Sequence, residues 1–349
     1  MRLGLNLGYW GMGNDADNLV LAKEADKLGY SVVWAAEAYG SDAATVLSFI
    51  AAQTEKIDVG SAVFQIPGRT PANTAMTAAT LDTLSNGRFR LGLGVSGPQV
   101  SEGWHGVRFD KPLARTREYV AIVRMALARQ KVQYDGEFFT LPLPDGTGKA
   151  LTLTVHPVRE NIPIYLAAVG PKNLELAGEI ADGWLAIFYS PEFAAEHRAG
   201  IEAGRAKVGK TLDGFDVVAT VPVVIGDDLD QCAIPLRNYS ALYLGGMGSR
   251  DKNFYNQLAV RMGYDQAAAA VQDLYLSRDY AGAAGAVPFE FIDKTALIGP
   301  PARIQERLHA YAEAGVTTLS VATYSADIEG GLATIRQMAE ILDASGLGE

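Results

Sequence analysis

Several short runs of this chain carry residue types that could do chemistry. Gly92-Leu93-Gly94-Val95-Ser96-Gly97 matches the GxGxxG spacing that cradles a dinucleotide pyrophosphate. That use requires a helix to open at the loop and an acidic residue about 20 positions later. Pro98 to Gly106 reads instead as an irregular loop, which argues against a Rossmann site. The glycines then serve either close backbone packing or the approach of a flat ring to the main chain. Gly170-Pro171-Lys172 precedes a predicted helix. Free N–H groups and the positive dipole end make such a place suitable for phosphate. Lys172 there opposes the dipole unless an anion is near; otherwise it is a solvated lysine. Glu37 ends a strand and could orient a ligand, move a proton or form a structural pair. His105 is either a pocket acid or an ordinary loop residue. Trp10, Tyr39 and Phe188 either wall a pocket or roof the core.

The elements that must position these residues alternate from the first residues onward. Strands are predicted near 3–8, 31–36, 57–64, 89–95, 164–169, 184–188, 215–225 and 318–322. Helices fall between them, near 15–28, 42–54, from 71 to about 84, 115–129, 171–181, 191–208, 303–314 and 328–342. Thr70-Pro71 has a capping hydroxyl and proline at the first helical position. Asn14-Asp15-Ala16-Asp17 reads as a helix cap; the glycine and distal glutamate of an EF-hand loop are missing. Two extended segments, 133–141 and 151–155, predict a β-hairpin insertion at about 132–156. A mostly helical insertion is expected near 227–298. Eight strand–helix units with one crossover hand give an α/β chain folded as a single (β/α)8 TIM barrel over 1–349. The active site of that fold lies at the C-terminal strand ends. Here those ends are aromatic and backbone-rich with one carboxylate, Glu37, so they suit a flat ligand better than a sugar. A glycosidase would want a pair of carboxylates.

Bulk properties exclude other classes. The 349 residues are 48% hydrophobic, enough for a large core. Net charge is -10 and there is no Lys/Arg run, which argues against nucleic acid as partner. The four histidines and single Cys232 show no metal-ligand spacing, so no metal is expected. One cysteine suits a reducing compartment, and a cytoplasmic location is expected. Neither a signal-peptide pattern nor an apolar run of membrane-spanning length is present.

Longer motifs carry a family resemblance over nearly the whole chain. These are Val32-Val33-Trp34-Ala35-Ala36-Glu37, Thr77-Ala78-Ala79-Thr80-Leu81-Asp82 leading into Gly87-Arg88-Phe89, the Leu91-to-Pro98 run, and Ala181-Asp182-Gly183-Trp184. The chain resembles the luciferase-like oxidoreductases, and most of all their actinobacterial branch dependent on coenzyme F420, a 5-deazaflavin. The resemblance implies a homodimer that moves a hydride between F420 and a small-molecule substrate. An FMN-dependent monooxygenase on the same barrel and a non-catalytic flavin or deazaflavin binder are the alternatives. It implies that Glu37 faces the cofactor ring, and that a bulge with a non-proline cis peptide falls at Ala62-Val63 behind it. It further implies that Ser96, Gly97 and Ser101 contact the cofactor, and that Val169, Gly170, Pro171 and Lys172 dock its phosphate tail. Several F420-dependent dehydrogenases of the family have a histidine directly after the acidic residue; this chain has Ala38. Proton transfer would then pass to Glu37, Tyr39 or His105, and reduction of an activated double bond or carbonyl is as plausible as alcohol oxidation.

Overall fold

A computed structural model describes residues 1–10 and 15–349, with residues 15 and 16 described by backbone alone. The Asn14 cap lies outside the described residues. The barrel strands are β1 (Arg2–Asn6), β2 (Val32–Ala35), β3 (Asp58–Ser61), β4 (Phe89–Gly94), β5 (Ile164–Ala167), β6 (Gly183–Ile187), β7 (Asp216–Ile225) and β8 (Thr318–Thr323). Each pairs in parallel with the next, and β8 pairs with β1, which closes the sheet. Closure also decides against a Rossmann fold, whose sheet is open.

The stretch after β4 corrects the loop reading. Pro98–Gly103 forms a six-residue helix opened by Gly97, with proline at its start. Proline at the first helical position loses no hydrogen bond, since that N–H has no partner in any helix. The strand expected at 57–64 is also interrupted. After Ser61 the chain passes through a cis Ala62–Val63 peptide before Phe64–Gln65 pairs again with β4. This is where the resemblance placed a cis bond.

The interior explains two glycines. Trp34 points into the barrel with Val32, Tyr165, Leu185 and Val218. A Cβ on Gly60 would lie 2.3 Å from the Trp34 ring, so the glycine yields its volume to the indole. A Cβ on Gly92 would lie 1.9 Å from the Ser61 carbonyl oxygen. Gly92 therefore serves close backbone packing.

The N-terminal end of the barrel is closed by charge. Asp216 accepts from the Tyr165 hydroxyl (2.9 Å), Thr318 Oγ1 (2.8 Å), Arg2 (3.1 Å) and Arg90 (3.3 Å). Arg90 also donates to Asp58 at 2.7 Å. Buried charge persists where it is paired and hydrogen-bonded.

The two insertions differ from expectation. Only Tyr134–Asp135 and Thr140–Leu141 pair as a hairpin, and 151–155 forms no strand. The Glu118 carboxylate accepts from the N–H groups of Glu137, Phe138 and Phe139. The turn is thus held on the outside of the barrel by the Pro112–Leu127 helix. The second insertion comprises helices Leu229–Ala241, Phe254–Arg261, Asp265–Leu276, Tyr280–Gly285 and Phe289–Thr295. A π-helical turn, Leu242–Gly246, continues the first of them. A short strand, Leu297–Gly299, which sequence patterning did not suggest, then pairs with the end of β7. These helices share a core with Phe188, Val169, Ile187 and Tyr324, which end or follow β5, β6 and β8. The insertion therefore sits over the C-terminal mouth.

Candidate active site

Glu37 follows β2, and the structure holds it as an ion-pair acceptor. Arg69 grips both its oxygens, one through Nη1 and the other through Nη2 at 2.7 Å. The N–H groups of Gln65 (3.2 Å) and Ala43 (3.3 Å) donate to the same carboxylate. Its side chain is 8% exposed and that of Arg69 is 11% exposed. With these donors satisfied, Glu37 is not free to act as a proton donor. Arg69 also reaches Asp42 and lies 4.5 Å over the Phe64 ring. It ties the end of β2 to the segment that follows β3.

Gln65 extends this bracing. Its amide donates to the Ala38 carbonyl at 2.6 Å and accepts from Ser96 Oγ at 3.0 Å. Ser96 adopts the left-handed region, φ 58°. Strand ends β2, β3 and β4 are thus linked through Glu37, Gln65, Arg69 and Ser96, around the cis Ala62–Val63 bond. A Cβ on Gly94 would lie 2.4 Å from Val63 Cγ2, so this glycine makes room for the Val63 side chain.

The remaining expected residues separate. The Ser101 hydroxyl donates to the Val107 carbonyl at 2.6 Å, which ties the Pro98–Gly103 helix to the segment after it. His105 packs beside Gly68, and its buried Nε2 has no partner among the described residues. Trp10 turns toward Phe49 on the Ala43–Ala51 helix, ring centroids 6.1 Å apart, rather than toward Phe188. Tyr39 is 67% exposed at the rim. Phe188 is buried, at φ 52°, and forms the floor of an aromatic group. A bulky residue at positive φ is uncommon and concentrates at functional sites. Gly170 opens the Pro171–Ile180 helix without a side-chain cap, and Lys172 is exposed in its first turn. Beside it, Arg261 donates to the Val169 carbonyl at 2.9 Å and to Glu196 at 2.9 Å.

Sequence reasoning missed Arg69 and Arg261. Arg69 stands just before the Thr70-Pro71 cap, but its pairing with Glu37 bridges 32 positions and leaves no local signal.

The family model for luciferase-like monooxygenases matches residues 11–318. The chain belongs to that family. Among its relatives is Rv3520c of Mycobacterium tuberculosis, which carries the name of a coenzyme F420-dependent oxidoreductase. It is 43% identical over 342 residues, covering 96% of this chain and 99% of the relative. The 5,10-methylenetetrahydromethanopterin reductase of Archaeoglobus fulgidus is 31% identical, over 84% of this chain and 86% of its own length. The solved F420-dependent tetrahydromethanopterin reductase of Methanopyrus kandleri superposes with a TM-score of 0.80 at 25% identity, covering 96% of each chain. The luciferase-like barrel is thus the scaffold on which these strand ends are arranged.

Proposed function

We propose that this luciferase-like protein is a coenzyme F420-dependent oxidoreductase acting on a small organic substrate. The observation that carries this reading is the 43% identity, over nearly the full length of both chains, to a protein named for that activity. The site's own features support it. The segment after β3 and the Ser96 turn bring main chain to the strand ends where a planar ring would lie. The uncapped helix at Gly170, with Lys172 in its first turn, offers N–H groups and positive charge for a phosphate.

When bound, the deazaflavin supplies hydride transfer at its C5. The chain's own residues orient and enclose it. Glu37 is a positioning residue: it holds Arg69, which fixes the segment behind the ring. Val169, Gly170, Pro171 and Lys172 hold the tail, with Arg261 anchoring the Val169 carbonyl. His105 or Tyr39 supplies or accepts the substrate proton, since Glu37 is already engaged and Ala38 has no proton to give. A homodimer in the cytoplasm completes this reading.

Titration of the purified protein with F420, followed by cofactor fluorescence, is the direct test. Micromolar or tighter binding, in preference to FMN, is expected. Tight FMN binding with oxygen-dependent turnover would instead identify a monooxygenase, and cofactor binding without turnover on a broad substrate panel a carrier.

A further inference from the structure

The helical insertion brings a group of tyrosines together above Phe188. Tyr239 and Tyr243 lie with ring centroids 4.8 Å apart, Tyr243 and Tyr255 4.9 Å, and Tyr239 and Tyr324 5.5 Å. Phe188 touches Tyr239 and Tyr243 from below, at 5.4 Å each. The group draws on distant parts of the chain: Phe188 follows β6, Tyr324 follows β8, and the others stand on the insertion.

Local structure aims Tyr243 into this group. It lies in the π-helical turn Leu242–Gly246, a deviation often found at functional sites. Gly245 and Gly246 let that turn rest on Tyr275, since a Cβ at either would fall within 2.4 Å of its side chain.

The four tyrosines are half-buried, not sealed. Their hydroxyls make no hydrogen bond to a backbone group or a charged side chain among the described residues. Nor are they among the buried polar atoms left without a partner, as Tyr264 Oη is. Tyr239 and Tyr243 lean on each other through their hydroxyls, and all four side chains keep part of their surface accessible. Burial raises all four hydroxyls above the ordinary tyrosine range, and on Tyr239, Tyr243 and Tyr255 the next influence is another tyrosine. The surface they present consists of neutral donors set in aromatic walls.

We infer that these tyrosines form a substrate subsite selective for neutral compounds bearing a ring and a hydrogen-bond acceptor, such as aryl ketones or enones, over phosphorylated or carboxylated ones. The tyrosine hydroxyls donate to the acceptor oxygen, and the rings stack against the substrate's apolar face. A charged group entering here would lose its hydration without meeting an opposite charge. This inference rests on the proposed F420-dependent function, in which substrate meets cofactor at the same mouth.

Acetophenone and benzoate test it, because they share one ring and differ in charge. Binding of each is measured by calorimetry to the full-length protein saturated with oxidised F420, so that no turnover occurs. Acetophenone is expected to bind at least tenfold more tightly than benzoate. The variant Y243F is expected to weaken acetophenone roughly three- to tenfold, the range of one hydrogen bond. Its melting temperature and F420 affinity should remain unchanged, and Y324F serves as a second variant. Equal or tighter benzoate binding, no acetophenone binding, or unchanged affinity in both variants would overturn the subsite. Failure of F420 itself to bind would overturn the proposed function instead.

Discussion

At the residue scale, the site is organised by pairs that no sequence window contains. Arg69 and Glu37 are both nearly buried, so removing one leaves an unpaired charge. Arg69→Ala should cost about 3 kcal/mol in denaturant unfolding. It should also weaken F420 binding, because the cis segment loses its brace. A stability loss below about 1 kcal/mol would show that the Gln65 and Ala43 N–H groups hold Glu37 without it. Lys172 makes the opposite prediction. It is exposed, so Lys172→Ala should leave the melting temperature unchanged while weakening phosphate-bearing cofactor; equal affinity would remove it from the site. Gly92→Ala would place a methyl against the Ser61 carbonyl and should cost about 3 kcal/mol or more, read as lost soluble yield and a lower melting temperature.

At the element scale, the Ala194–Lys207 helix carries a built-in pH response. His197 is caged by the rings of Trp184, Tyr189 and Phe193, and its Nδ1 has no partner among the described residues. Burial, with the nearby Arg261 cation adding to it, pushes its pKa down from 6.5 to about 4. The folded state therefore favours the neutral ring, while the unfolded chain takes up a proton below about pH 6.5. Stability is full above that pH and falls as pH drops toward 4, where the folded state also protonates. Between pH 7 and pH 5 this one group should remove about 2 kcal/mol. Comparing urea midpoints at the two values for the native protein and for His197→Gln measures it; equal losses in both would assign the acid sensitivity to other groups.

At the scale of the whole molecule, the barrel separates its stability from its chemistry. The Asp216 network occupies the N-terminal end, opposite the candidate active site. Asp216→Asn should lower stability by about 3 kcal/mol, since Arg90 and Arg2 lose their shared counter-charge. Turnover of a working substrate, measured well below the melting temperature, should be preserved. A large loss of activity in a folded variant would show that the two ends are coupled.

Alternation of strand and helix signals made the barrel legible, because each strand's apolar run and each helix's cap are local properties. Glu37, Ser96 and Gly170 were legible as strand ends for the same reason. Pro98–Gly103 was misread because a six-residue helix opened by Gly-Pro carries too little periodicity to stand out. The hairpin was overdrawn because its extended segments have little partner surface. What only the tertiary structure decided is which partners the legible residues meet. Glu37 meets Arg69, Ser101 meets the Val107 carbonyl, and Trp10 meets Phe49. The tyrosines of the insertion, scattered from 239 to 324, become one wall only because β6, β8 and the helices between them converge on one mouth. Local patterning determines where a side chain can point. Long-range packing determines what it meets there, and that sets its chemistry.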